Sequence, residues 1–205
     1  MEIVLGTTNA GKLKEYRELL ADAPVTLLSL ADVGLADMDV EETGETFTAN
    51  ARLKARAYAE SSGKFALADD SGLCVDALNG APGVYSARYG GGSLDASGRC
   101  RKLLGEIEGV EDRSAHFACV IAVAHPQQET CLIAQGICEG TIAQEESKGT
   151  KGFSYDPIFI PNGYDLTFGD LDVEIKHQIS HRAVATRKLV LMLQAFVADE
   201  GKDGL

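Results

Sequence analysis

The sequence lacks the features that mark membrane-spanning, disulfide-rich and zinc-binding proteins. Its longest apolar runs, such as residues 117–124, are far shorter than a bilayer-spanning segment. The N-terminus shows neither a basic region nor an apolar segment of signal length, so we expect a cytoplasmic protein with no membrane partner. The five cysteines include no C-x-x-C pair and are odd in number, which indicates structural, reduced thiols.

A dense basic run is also absent. The formal net charge is −12 and the pI is about 4.7. A protein that binds a nucleic-acid polymer needs a basic face to displace counterions, so we expect no such partner. An acidic chain can still bind a small polyphosphate through a few focused cations, a helix N-terminus or a metal ion.

The features that are present predict one α/β domain. The chain has 205 residues, of which 45% are hydrophobic and 24% charged, as in ordinary globular proteins. A chain of this length buries about 70% of its unfolded surface, which is enough for a normal core. Without repeats or linkers, residues 1–199 are expected to form a single domain, and residues 200–205 a frayed tail.

Strands are expected to alternate with helices in the first half, with a hairpin following in the second. Helices are predicted after Asn9, at 46–62, at 95–107 and after Ser180, the last with an apolar stripe of Ala185, Leu189, Met192, Leu193 and Phe196. Strands are predicted at 2–5, 25–30, 65–68, 116–124, 130–137 and 155–160. This order indicates an α/β protein with a mixed sheet.

The first candidate site runs from Gly6 to Lys12, between a strand and a helix. It matches G-x-x-x-x-G-K, in which glycines let the backbone approach phosphate and Lys12 adds charge. The next residue is Leu13, where a P-loop needs a hydroxyl for Mg²⁺. The segment therefore predicts a phosphate cradle unlike a P-loop, with a simple glycine-rich turn as the alternative.

Adjacent carboxylates form the second candidate site, at Asp69-Asp70-Ser71-Gly72, where the strand over 65–68 is expected to stop. Carboxylates at a strand end suit Mg²⁺, a hard cation that prefers oxygen ligands. An Asx-type turn is one alternative. A second alternative is an aspartic-protease site, which needs two such aspartates. The chain has a single Asp-Ser-Gly, so a homodimer would have to supply the second aspartate.

Three further segments carry polar groups in patterns that chemistry could use. The acidic loop 41–44 precedes a helix on which Asn50 and Lys54 share a face. A charged loop followed by a solvated helix face is the alternative interpretation of this pattern. Segment 152–157 could clamp a flat base, or simply pack a turn. His181 and Arg182 would oppose the positive end of a helix and so call for a polar or anionic partner, although His181 could be merely structural.

Taken in order, these segments resemble the family of inosine/xanthosine triphosphate pyrophosphatases, the non-canonical purine NTP pyrophosphatases. Each stretch alone is a weak pattern, whereas their joint order is highly specific and spans nearly the whole chain. The stretches that carry the resemblance are 7–12, 41–44, 47–55, 68–73, 80–89, 152–157 and 179–182. The chain departs from the family at Ser154, where glycine is usual, which could alter the base pocket.

The resemblance implies a two-lobed α/β fold, a homodimer, and an active-site cleft between the lobes. It implies Mg²⁺ held by Glu41 and Asp70, with Asp70 also the catalytic general base. The implied substrate-binding residues are Thr7, Thr8, Asn9, Ala10, Gly11, Lys12, Lys54, Ser71, Phe153, Ser154, Tyr155, Asp156, Lys176, His181 and Arg182.

The implied activity is hydrolysis of ITP, dITP and XTP to the monophosphate and pyrophosphate, which removes these small-molecule nucleotides from the pool. Two other functions stay open. A P-loop-like NTPase or kinase would yield a diphosphate, and a non-catalytic nucleotide sensor would bind without turnover.

Overall fold

The computed structural model describes residues 1–128, 131–149 and 152–200. Its strands form one sheet with the order β2-β1-β3-β4-β5-β6. They are Glu2–Leu5 (β1), Thr26–Ser29 (β2), Phe65–Val75 (β3), Ser114–Ala124 (β4), Cys131–Ile142 (β5) and Phe159–Pro161 (β6). Strand β1 pairs in parallel with β2 and β3, whereas β5 and β6 are antiparallel. The predicted mixed sheet of an α/β protein is therefore confirmed.

The helices begin and end close to the predicted positions. They are Ala10–Leu19 (α1), Phe47–Ser62 (α2), Ala96–Glu106 (α3), Val173–Ile179 (α4) and His181–Glu200 (α5). Side-chain oxygens of Asn9, Thr46 and Asp95 cap the first three. Helix α4 is an addition that the sequence pattern did not predict.

The chain folds into two compact units, each with its own apolar core. The first unit comprises Met1–Asp70, Val120–Gln135 and the chain from Ala185 onward; the second comprises Ser71–Cys119 and Gly136–Val184. Core residues of the first unit include Val4, Ala55, Tyr58, Ala66 and Val120. Those of the second include Leu73, Leu103, Phe117, Tyr155 and Phe159. The tail predicted from residue 200 lies, after Glu200, outside the described residues.

Strand β3 corrects the prediction that a strand stops at Ala68. It continues through the carboxylates to Val75, and Asp69 and Asp70 are only 2% and 5% exposed. Buried carboxylates are costly unless they are paired, and each of these has a lysine partner, described below. The Asx-turn alternative for this segment is therefore wrong.

The segment 155–160 is not one strand. Residues Asp156–Ile158 form a 3-10 turn with Pro157 near its start, and only Phe159–Pro161 pair with β5. Proline has no backbone N–H to donate, which favours a turn over a ladder position. In α5, Ala185, Leu189 and Leu193 are fully buried as predicted, but Met192 is 38% exposed, so its place in the apolar stripe was wrong.

The five cysteines are reduced thiols, as their odd number and their spacing predicted. All five cysteines lie in the described part of the chain, and none of them forms a disulfide there. Cys74, Cys100, Cys119 and Cys138 are buried, whereas Cys131 is half-buried. Across residues 1–128, 131–149 and 152–200, no helix combines the length and apolar character needed to cross a membrane.

Candidate active site

The loop between β1 and α1 leaves its backbone exposed at a helix N-terminus. A Cβ on Gly6 would lie 2.3 Å from the ring of Tyr58, so only glycine allows the strand to exit here. Asn9 Oδ1 accepts from the backbone N–H of Lys12 at 3.1 Å, and Thr7 Oγ1 accepts from that of Asn9 at 3.2 Å. Since Thr8, Asn9 and Ala10 are exposed, the N-terminus of α1 is open to an anion.

Lys12 is anchored by the first of the two adjacent carboxylates. Its Nζ lies 2.9 Å from Asp69 Oδ1, and the Asp69 side chain is 1% exposed. This pair holds the lysine of the loop against β3. No separate role could be predicted for Asp69, because spacing alone does not show which of the two adjacent aspartates contacts which lysine.

The second carboxylate, Asp70, lies in a different set of contacts. Asn50 Nδ2 donates to Asp70 Oδ2 at 3.0 Å, and Lys54 Nζ lies 3.8 Å from Asp70 Oδ1. Burial raises the pKa of the Asp70 carboxyl, while the charge of Lys54 and the hydrogen bond from Asn50 act in the opposite direction. Burial alone would lower the pKa of Lys54, but the carboxylates of Asp69, Asp70 and Glu42 raise it.

Of the two neighbouring glutamates, Glu42 reaches this cluster. Its carboxylate pairs with Lys54 Nζ, whereas Glu41 is exposed. Within the described residues, no three or more His, Cys, Asp or Glu side chains gather as a complete metal site. The oxygen-only donor set at Asp70 fits Mg²⁺, which protein sites typically hold through one or two carboxylates plus substrate phosphates.

In the second unit, a tight turn over 152–156 presents Phe153. Gly152 has φ of +76°, and a Cβ there would lie 2.1 Å from Asp156 Oδ2. The same Oδ2 accepts from the Phe153 backbone N–H at 2.6 Å and from Lys176 Nζ at 2.7 Å. Both Asp156 and Lys176 are buried, so this ion pair fixes the turn.

Cations of two helices surround the Phe153 ring. Lys176 Nζ lies 5.0 Å from the ring centroid and the Arg182 guanidinium 5.6 Å, both within cation–π range. Arg182 Nη2 also donates to Ser71 Oγ at 3.0 Å, which gives Arg182 a polar partner of the kind that the sequence called for. The ring of His181 stacks on Phe117 at 4.7 Å.

Ser154 and Tyr155 complete the turn. Ser154 has φ of +61°, a conformation that favours glycine, and its carbonyl accepts from the Cys100 thiol at 3.5 Å. The Tyr155 hydroxyl donates to the carbonyl of Ser86 at 2.9 Å and its ring is buried. Tyr155 therefore supports the turn from the core side, and Ser154 adopts a left-handed backbone conformation that usually favours glycine.

The structure thus gathers the predicted residues into two clusters, one in each unit. Asn50 is fully buried and Lys54 is partly buried. The alternative interpretation, in which this face of α2 is solvated, is therefore wrong. Asn50, Asp69 and Glu42 lie in segments that the sequence predicted to be functional, but no individual role was predicted for them, unlike Lys54, Asp70 and Glu41. The four-residue spacing of Asn50 and Lys54 was the one signal that could have found Asn50.

Curated proteins and solved structures are similar to this chain over nearly its whole length. Curated relatives include the dITP/XTP pyrophosphatases of Bacillus licheniformis and Bacillus subtilis, each 45% identical, with 94% and 95% of this chain and 97% and 98% of theirs covered. A Ham1 protein of Coxiella burnetii superposes with a TM-score of 0.87 at 43% identity, covering 95% of this chain and 99% of that one. The Ham1 protein of Staphylococcus aureus gives a TM-score of 0.84 at 40% identity, with the same coverage. The model of the Ham1 family matches residues 3–192, and the chain therefore belongs to the Ham1 family.

Proposed function

We propose that this protein is a nucleoside-triphosphate pyrophosphatase that hydrolyses ITP, dITP and XTP to the monophosphate and pyrophosphate. The names of the two Bacillus relatives support this activity. The observation that carries it is the buried Asp70 carboxylate, held by Asn50 and facing Lys54. We also infer that it acts as a homodimer on the small-molecule nucleotides of the cytoplasm.

The phosphate tail is assigned to the loop before α1. The N–H groups at the start of α1 bind phosphate oxygens, and Lys12 and Lys54 offset their charge. In this assignment residues 7–12 hold pyrophosphate as an intact leaving group. Attack therefore falls on the α-phosphorus.

Asp70 is assigned the role of general base. Its carboxylate accepts a proton from water as the water oxygen bonds to the α-phosphorus and the bond to the pyrophosphate oxygen breaks. The raised pKa of the Asp70 carboxyl makes it a stronger proton acceptor than an exposed aspartate. Lys54, close to the same carboxylate, stabilises the negative charge that develops on phosphate.

We infer Mg²⁺ as the cofactor, with Asp70 and Glu41 as its ligands. Glu42, which pairs with Lys54, is the nearer carboxylate and a second candidate. Bound Mg²⁺ neutralises phosphate oxygens and withdraws electron density from phosphorus. The oxygen-only donors of this cluster support that choice.

The base is assigned to the second cluster, with Ser71 contacting the substrate. The Phe153 ring stacks on the purine, and Ser154, Tyr155 and Asp156 shape the turn around it. Lys176 and Arg182 can only donate hydrogen bonds, and His181 donates when its proton faces the ligand. The 6-oxo group of hypoxanthine and xanthine accepts such bonds, whereas the 6-amino group of adenine leaves donor against donor.

The experiment is to incubate the protein with ITP and Mg²⁺ in ¹⁸O-water and identify the phosphorus products. We expect labelled IMP, unlabelled pyrophosphate, and a kcat/KM for ATP lower by at least about tenfold. Inosine diphosphate with phosphate would favour a P-loop-like NTPase or kinase, and binding without turnover would favour a nucleotide sensor. Label in pyrophosphate would contradict attack at the α-phosphorus.

A further inference from the structure

One side chain links the acidic loop before α2 to the carboxylate on β3. We propose that Asn50 is a positioning residue that sets the orientation of Asp70 and ties the 41–44 loop to it. The proposal rests on the function proposed above, because Asp70 is there the general base. In this assignment Asn50 contacts neither the substrate nor the attacking water, and it acts through the Asp70 carboxylate.

Both ends of the Asn50 amide are used. Its Nδ2 donates to Asp70 Oδ2 at 3.0 Å, and its Oδ1 accepts from the backbone N–H of Gly44 at 2.7 Å. A primary amide carries a donor and an acceptor on one rigid group, so the two contacts fix each other. Asn50 is 0% exposed, and a buried amide is costly unless both ends are bonded.

The loop lies directly against this amide. A Cβ on Gly44 would fall 2.6 Å from Asn50 Oδ1 and 2.7 Å from the Cβ of Ala49. Any larger residue at position 44 would displace the loop from α2 and break the hydrogen bond from the Gly44 N–H to Asn50 Oδ1. Glycine at 44 and asparagine at 50 therefore act together, and they set the path of the loop that carries Glu41 and Glu42.

The same contact defines which oxygen of Asp70 meets which partner. Asn50 engages Oδ2, while Lys54, one helical turn further along α2, lies 3.8 Å from Oδ1. A partial rotation that turned the plane of the carboxylate away from this position would lose the hydrogen bond from Asn50. The carboxylate is thereby held in one orientation by an amide group that carries no charge and does not ionise near neutral pH.

The variant Asn50→Asp separates the two contacts. Its carboxylate can still accept from the Gly44 N–H, but it cannot donate to Asp70 and sets a second negative charge beside it. Residues that orient a ligating or reacting group typically change activity by about 10- to 100-fold. We expect kcat for ITP to fall in that range, KM to stay within about threefold, and hydrogen-exchange protection of the Gly44 amide to persist.

The variant Asn50→Ala removes both contacts. We expect a similar fall in kcat, together with exchange of the Gly44 amide that is faster by at least about tenfold. Asn162→Asp adds the same charge at an exposed turn and serves as the matched control, with wild-type kcat expected. Activities are expressed per folded molecule, measured by thermal unfolding of each variant.

The proposal is overturned if either Asn50 variant retains kcat within about threefold of wild type, or if the change falls on KM alone. A loss of activity that disappears after correction for the folded fraction also overturns it, since Asn50 would then serve only folding. Failure of the wild type to release pyrophosphate from ITP refutes the proposed function instead. In that case, hydrogen exchange of the Gly44 amide still measures whether the hydrogen bond to Asn50 Oδ1 is present.

Discussion

At the scale of single residues, the adjacent aspartates of β3 have different partners. Successive side chains of a strand point to opposite faces, so Asp69 and Asp70 are directed differently, although the charges of both raise the pKa of Lys54. Asp69 pairs with Lys12 of the loop before α1, whereas Asp70 meets Asn50 and Lys54 of α2. This division supports the proposal that Asp69 anchors the loop and that Asp70 carries the chemistry.

Replacing Asp70 with asparagine tests the assigned chemistry. The amide has nearly the same shape but cannot accept the proton of water, and loss of a general base typically costs about 10²- to 10⁴-fold in rate. We expect Asp70→Asn to unfold at a similar temperature and to lose kcat in that range with ITP at saturating Mg²⁺. Steady-state kinetics with circular dichroism melting measure both quantities.

Asp76→Asn is the matched control, because Asp76 is exposed on the 3-10 turn that follows β3. It should keep wild-type kcat. If Asp70→Asn hydrolyses ITP within about tenfold of wild type, the general base is another group.

At the scale of elements, the turn over 152–156 shows how backbone geometry shapes the surface that we propose binds the base. Gly152 has a left-handed backbone, and the Asp156 carboxylate occupies the space that a side chain at this position would fill. For both reasons the turn requires glycine there. That carboxylate fixes the Phe153 backbone and receives Lys176 from α4. A helix missed by the sequence pattern thus supplies one of the cations beside the Phe153 ring.

The variants Gly152→Ala and Gly163→Ala separate backbone strain from collision. Both glycines have positive φ, +76° and +86°, but a Cβ on Gly163 meets nothing within 4 Å. Gly163→Ala should lose about 1 kcal/mol of unfolding free energy from the unfavourable φ alone. Gly152→Ala should lose at least about 1 kcal/mol more, because it displaces the Asp156 carboxylate.

Urea denaturation measures both stability losses, and steady-state kinetics with ITP measures their effect on the site. The KM for ITP should rise in Gly152→Ala and stay unchanged in Gly163→Ala. Equal losses of stability in the two variants would show that the turn adapts without disturbing Asp156.

At the scale of the whole molecule, burial in the two cores keeps the thiols protonated. Burial raises the pKa of Cys74 to about 11, and those of Cys100 and Cys138 to about 12. Burial also raises the pKa of the half-buried Cys131, although Arg52 and Arg56 favour its thiolate. The thiolate is the reactive form of cysteine. Cys131 is more accessible than the four buried cysteines, and nearby arginines favour its thiolate, so it should be the most reactive of the five.

We therefore expect Cys131 to react first with a thiol reagent at pH 8 and the other four cysteines at least about tenfold more slowly. Mass spectrometry of timed labelling identifies each site, and all five should label at once in guanidinium chloride. Because these folded-state pKa values exceed the unfolded value of about 8.5, the thiols favour the fold below that pH. That stabilisation is lost as the pH rises toward about 12. Labelling of Cys100 as fast as Cys131 would contradict the buried placement.

The local pattern of the sequence determined the elements and the residue types of the candidate site. Asn9 caps α1 as predicted, and α2 begins and ends close to its predicted bounds. Caps and periodicity are properties of a few consecutive residues, so the local sequence is enough to predict them. The order of short motifs along the chain was enough to identify the family, because together they are far more specific than any one alone.

Tertiary structure alone decided how the polar residues pair. Asp69 and Asp70 looked like the end of a strand, yet β3 continues through them because Lys12 and Lys54, distant in sequence, neutralise the buried charges. The same holds for Asp156, whose partner Lys176 lies twenty residues further along. Burying a charge costs more than any local propensity can offset, so its placement depends on long-range partners that neither composition nor spacing reveals.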